Sequence, residues 1–150
     1  MSTLRELQEE IAEACNADEY LVQGGCKAFA EDRQDVFAAI EEQLANVGGL
    51  AIVVSTPNVK LLGGATEGSI PCEVSELAIR ATETPALSRL APGNITALQA
   101  AQRIMHMFHQ AAFAFVRLDQ TGDEQTGTVS ATATFKTSIN LTDPATAEAE

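Results

Sequence analysis

Few residues in this chain have the chemistry of a reactive site, and their spacing decides what each could do. His106 and His109 stand three apart, so on one helix they would share a direction and could share a metal. A metal site needs further ligands. No HExxH pattern accompanies them, and no carboxylate or cysteine falls at ligand spacing. Met107 and Phe108 between them belong to a core or interface face. Cys15, Cys26 and Cys72 are odd in number and widely spaced, with no CxxC and no base indicated beside them. They read as reduced, structural thiols of a cytoplasmic protein. Gly63-Gly64 is no phosphate loop, because no Gly-Lys-Ser/Thr follows and no helix opens behind it. Glu73 and Glu76 have the types of an acid–base pair, but on the wet side of a strand they read as two solvated carboxylates. The sequence therefore assigns no catalytic, cofactor-binding or metal residue and implies no cofactor.

The elements that would position such groups are clearer. From Thr128 to Leu141 apolar and polar residues alternate: Val129, Ala131, Ala133, Phe135, Ile139 and Leu141 on one parity, hydroxyls and Lys136 on the other, with Thr137 the one polar residue on the apolar side. Alternation of this kind is a long strand with one buried and one wetted face. Ile70, Cys72 and Val74 alternate too, and Leu77, Ile79 and Ala81 follow on the opposite parity. A β-bulge at Ser75-Glu76 would restore the buried face. Leu50–Ser55 reads as a buried strand halted by Thr56-Pro57-Asn58, Val59–Leu62 as an extended continuation, and Phe113–Leu118 as a further strand. Cys26–Ala30 is a short strand within an ambiguous stretch, Asn16 to Glu31.

Three helices complete the pattern. Thr3 with Glu6 forms a capping-box pattern for the first, about Leu4 to Cys15. The second spans about Arg33 to Asn46, with a stripe of Val36, Phe37, Ile40, Leu44 and Val47 and a stop at Gly48-Gly49. Asn94 or Thr96 caps the third, Thr96–Gln110, whose stripe is Leu98, Ala101, Ile104/Met105, Phe108 and Ala111/Ala112. The expected fold is α+β: a single mixed, mostly antiparallel sheet with two or three helices packed mainly on one face. Residues 1–142 form one domain. The second and third helices are expected to cover Val129, Ala133 and Phe135. Gly63–Ser69 and Asp119–Thr126 read as mobile loops, and 143–150 as a disordered acidic tail.

Composition excludes several functions. The chain has 150 residues, 45% hydrophobic, without Trp and with one Tyr, so the core is aliphatic with some Phe. The polar, acidic amino end is not a signal peptide. Leu50–Val54 and Ala111–Val116 are too short to cross a bilayer. A net charge of −12, with nine scattered Lys and Arg, gives no basic stripe for a nucleic-acid backbone or an anionic membrane. Acidity keeps a small protein soluble, and it could also repel a polyanion that passes close by.

The helix and strand Val36–Ser55, the turn Glu83-Thr84-Pro85, the irregular arm and helix Ala97–Phe108 behind it, and the closing strand Thr128–Leu141 together resemble the tail-terminator (tail completion) proteins of long-tailed bacteriophages or prophages. The resemblance covers roughly Asp32 to Leu141. The family's Asn-Arg after the Pro is replaced here by Ala86-Leu87-Ser88-Arg89. Architecture and role are carried over, and no individual functional residue. The resemblance implies a non-enzymatic virion subunit forming a homo-oligomeric ring, typically a hexamer, at the head-proximal end of the tail tube. Its partners would be copies of itself, the tail tube protein and a head-completion or neck protein, in the host cytoplasm during assembly and then in the virion tail. Asp119, Asp123 and Glu124 are expected to face the bore. The rivals are a small cytoplasmic ligand-binding or enzymatic α+β domain, and another phage neck or baseplate adaptor.

Overall fold

The computed structural model describes residues 3–31, 34–64, 68–110 and 112–145. In chain order the elements are α1 (Leu4–Ala17), α2 (Glu19–Gln23), β1 (Cys26–Ala30), α3 (Gln34–Ala45), β2 (Leu50–Val54), β3 (Asn58–Leu61), β4 (Ser69–Glu83), α4 (Pro85–Ser88), α5 (Ala97–Phe108), β5 (Phe113–Asp123) and β6 (Thr128–Thr142). They form an α+β fold around one mixed sheet of order β1-β2-β4-β6-β5, with β3 also paired to β4. Among the described strands only β1 and β2 run parallel, joined by α3 as the crossover that parallel neighbours require. None of the described helices is long and apolar enough to cross a membrane.

The sheet hangs on β4 and β6, fifteen residues each. Val74 pairs with Thr137 and Leu77 with Phe135, so Ser75 and Glu76 together face Lys136 alone. That is the bulge read from the parity change, and it puts Ile70, Cys72 and Val74 on the same face as Leu77, Ile79 and Ala81. A second bulge, at Val116 in β5, lies between Phe115 opposite Phe135 and Arg117 opposite Thr134.

Onto this face pack α1 through Ile11, Ala12 and Cys15, and α5 through Ala97, Ala100, Ala101 and Ile104. The expected pairing of helices is corrected here. Gln34–Ala45 stays outside the main core cluster and lies on the opposite face, where Ala51 and Val53 of β2 are buried. Val36, Ile40 and Leu44 are only half-buried and Phe37 is 52% exposed, so α3 is a partial lid, and α1 takes the place given to it in the core. The stripe of α5 holds at Ala101, Ile104 and Phe108 but shifts at its start: Leu98 faces solvent while Ala97 and Ala100 face the sheet, because small side chains let the helix approach closely. Thr96, rather than Asn94, caps α5, in a full capping box with Gln99.

Asp119 to Asp123 do not form a loop. They continue β5, pairing from Asp119 with Thr132 to Asp123 with Thr128. Asp123 Oδ1 accepts from Gln125 N at 2.9 Å, and Gly127 supplies the positive φ (68°) that closes the hairpin. The loop read at Gly63–Ser69 has residues 65–67 outside the described residues. Of the tail, Pro144 and Ala145 begin a helical turn, with Asp143 Oδ1 accepting from Ala145 N, and 146–150 lie outside the described residues.

Phe135 is fully buried beneath Phe108, Phe113 and Phe115, whose ring centres lie 5.0 to 6.4 Å from its own. Truncating it empties the middle of this cluster. Phe135→Ala is expected to lower stability by ~3–5 kcal/mol in urea unfolding; a loss below about 1 kcal/mol would contradict this packing.

Candidate functional site

The residues with reactive chemistry do not converge. His106 is exposed on α5, and His109 is the C-cap, its Nδ1 accepting from Phe115 N at 3.1 Å. One imidazole is thereby committed to fixing the turn into β5. Among the described residues, no group of three or more His, Cys, Asp or Glu gathers where it could hold a metal. Glu73 on the wet face of β4 lies 2.8 Å from Lys136 Nζ and 3.7 Å from Lys60 Nζ. The hydrogen bond from Lys136, then the charges of both lysines, hold its carboxyl below the usual range against a desolvation that raises it. Glu76, in the bulge, pairs with Arg117. The two carboxylates are thus held apart by separate cations.

Cys15, Cys26 and Cys72 are free and buried. Burial, with the nearby charges of Asp18 and then the Cys26 thiol, pushes Cys15 up to about 12. Burial, then Glu83 and Asp18, pushes Cys26 up to about 12 as well. A thiol so disfavoured as thiolate is a poor nucleophile.

A buried carboxylate organises the end of β4. Glu83, 1% exposed, sits on the apolar parity that runs through Leu77, Ile79 and Ala81. Its Oε2 accepts from Ser88 Oγ at 2.7 Å, and its Oε1 accepts from Ala97 N at 3.3 Å at the N-terminus of α5. Arg89 Nη2 lies 3.5 Å away. A carboxylate is well placed at a helix N-terminus, whose unpaired N–H groups carry partial positive charge. Asn94 ties the segment between α4 and α5 to the turn between α3 and β2, donating to Gly48 O at 2.5 Å and Ser88 O at 2.9 Å. This set is structural: Ser88 is fully buried, so its hydroxyl meets no substrate.

Among the described residues, two surfaces stand out. Between α2 and α5 lies a shallow groove of about 640 Å³, lined by Asp18, Glu19, Tyr20, Gln99, Gln102, Arg103 and His106. Arg103 donates to both carboxylate oxygens of Asp18, at 2.6 and 3.2 Å. This bidentate pair holds Asp18 below the usual carboxylate range, while Arg103 is raised. The second surface is an arm of three strands, formed by β3, residues 69–74 of β4 and residues 137–142 of β6. The core cluster ends at Val74 and Ile139. Val59, Leu61, Ile70 and Leu141 extend the same face beyond it, with Leu61 65% and Ile70 47% exposed.

The sequence showed neither the groove nor the role of Glu83. The groove joins residues some eighty positions apart. Glu83 did leave a trace, as an acidic side chain on a buried parity. Asp119, Asp123 and Glu124 lie together on the β5–β6 hairpin, but Asp119 is paired with Arg117 at 3.1 Å and Asp123 caps its own turn. No family model matches the sequence, and no curated protein matches it.

Two expectations follow from the buried groups. Glu83→Ala strands the Ser88 hydroxyl and the Ala97 N–H in the interior, a loss of about 2–4 kcal/mol in chemical unfolding; a change within 0.5 kcal/mol would contradict that role. The thiols set an alkaline limit. Both folded values exceed the 9.0 of a free thiol, so their contribution is complete below that value and is lost as pH rises from there towards about 12. Stability should fall through this window, and the Cys15→Ala/Cys26→Ala variant should show a shallower fall. Equal slopes would contradict the assignment.

Proposed function

We propose that this chain is a virion structural protein, a tail-terminator subunit that assembles with copies of itself into a ring at the head-proximal end of a phage tail tube. The observation that supports the reading most directly is the three-stranded arm, which leaves Leu61 and Ile70 in the open. Exposed apolar side chains grouped on one sheet face suit a subunit that is covered by neighbours. The acidic balance fits the same role. A ring gathers a charge of −12 per subunit about one axis, and a narrow acidic bore repels DNA that must slide through it. The hairpin bearing Asp119, Asp123 and Glu124 is the segment assigned to that bore. Its other neighbours would be the tail tube protein and a head-completion or neck protein.

A small ligand-binding or enzymatic domain is the second reading, and the α2–α5 groove is what favours it. It ranks lower because the groove is shallow and its guanidinium is already taken by Asp18.

Electron microscopy of the protein mixed with its cognate tail tubes tests the proposal. Capped tube ends and arrested elongation are expected; tubes that keep growing with bare ends would end the terminator reading. The triple variant Asp119→Asn/Asp123→Asn/Glu124→Gln should still cap but slow DNA passage. Unchanged passage would place these residues outside the bore.

A further inference from the structure

The α2–α5 groove has the size of a small-molecule site, about 640 Å³ against the ~300–1,000 Å³ that such sites occupy. Its hydrogen-bonding groups are unevenly engaged. The acceptors are mostly taken within the chain. Asp18 Oδ1 and Oδ2 accept from Arg103, and Oδ2 also accepts from Leu21 N at 3.2 Å. Glu19 Oε1 accepts from Gln23 Nε2 at 2.9 Å, and Gln99 Oε1 from Thr96 N at 2.8 Å. The donors are mostly left over. Among the described residues, the Tyr20 hydroxyl, the Gln102 carboxamide, the His106 ring and Gln99 Nε2 hold no hydrogen-bond partner. Arg103 uses Nε and Nη2 on Asp18, whose side chain is 10% exposed, so the guanidinium is fixed in orientation with Nη1 still able to donate.

Charge and spacing restrict the ligand further. Asp18 neutralises Arg103, Glu19 adds a negative charge and the chain carries −12, so an anion is disfavoured. Gln99, Gln102, Arg103 and His106 climb two turns of α5, which spreads the donors along about 10 Å instead of gathering them at one point. Tyr20, on the α2 wall, leaves its ring 44% exposed. A nucleobase carries its acceptors on one edge and stacks best between two flat walls, whereas this groove has one aromatic side chain. A saccharide carries oxygens along its whole length and an apolar ring face for the tyrosine.

We propose that the α2–α5 groove binds a neutral saccharide, with a ring face against Tyr20 and hydroxyl oxygens accepting from Gln99, Gln102, Arg103 and His106. An open groove suits a ligand that keeps some of its hydroxyls in water. Each hydrogen bond replaces one to water and gains little, so the affinity is weak, with Kd about 1 mM. The site goes beyond the terminator reading and does not rest on it, since it uses neither the arm nor the β5–β6 hairpin.

Nitrogen-15 NMR of the full chain, titrated with maltotriose, cellotriose and triacetylchitotriose, tests this, with uridine and benzoate as a nucleobase and an anion for comparison. At least one trisaccharide is expected to shift the amides of Tyr20, Gln102, Arg103 and His106 saturably, with an affinity that does not fall as salt is raised. The Tyr20→Ala/Gln102→Ala variant should keep the wild-type circular dichroism and bind at least ~tenfold more weakly. Three trisaccharides without saturable shifts, shifts that persist unchanged in that variant, or tighter binding of uridine or benzoate in the groove would each overturn the proposal. None of these outcomes bears on tube capping, so the terminator role stands or falls separately.

Discussion

Side chains alternate along a strand, so a strand keeps one apolar face only while its residues keep one parity. β4 breaks that parity in its middle and survives because two residues, Ser75 and Glu76, bulge against Lys136. Without the bulge either Ile70, Cys72 and Val74 or Leu77, Ile79 and Ala81 would face water. The rest of the structure depends on this accommodation. β2 and β3 share one side of β4 in succession, one on each half, while β6 runs along the whole of the other side. Glu76 also gains its partner there, since the bulge sets it beside Arg117 of β5.

The two ends of β4 are opposite in character. At its end, Glu83 is a carboxylate inside the protein, held by Ser88, Arg89 and the first N–H of α5. At its start, Ile70 is an apolar side chain outside. The first is satisfied within the chain, because an unpaired buried charge is too costly to persist. The second is left unsatisfied within the chain, and it is the end that the proposed assembly covers. The edges are treated with the same asymmetry. Asn16 accepts from Ala28 N at 2.8 Å and donates to Ala28 O at 3.1 Å, so a side chain stands in for a neighbouring strand beside β1. Arg117, Asp119 and Asp123 guard β5 with charge.

Most of the sheet was legible from the sequence, because parity is a direct reading of which face is wet. β6, the bulge, the buried run of β2 and the capping of α1 and α5 all follow from residue order. What escaped was set by partners distant in sequence. Asp119 to Asp123 look like a loop because an exposed edge strand is polar on both faces, and only its pairing with β6 reveals it. The stripe of α3 is genuine but covers the smaller face, and periodicity does not say which face of a sheet a helix will choose. In α5 three of the four buried residues are alanines, while Leu98, a larger hydrophobe, faces out. Close approach of the helix outweighed side-chain size. The candidate surfaces were least legible, since the arm appears only when β3, β4 and β6 are laid side by side, and the groove only when α2 meets α5.

The interposition of β6 between β4 and β5 also bears on how the chain acquires its fold. Glu83 meets Val129 and Ser69 meets Thr142, so the central ladder joins segments separated by two helices and another strand. Closing such long loops must precede the contacts that reward it, which places this chain among slower folders, nearer milliseconds to seconds than microseconds. The β5–β6 hairpin is the local exception, and it is the natural piece to form early and dock as a unit. Until it docks, β4 presents one open edge of fifteen residues beside an uncovered apolar face, and intermolecular strand pairing competes with folding. Slow synthesis, low temperature or a holdase should therefore raise the yield of native protein more than a stabilising change elsewhere in the fold.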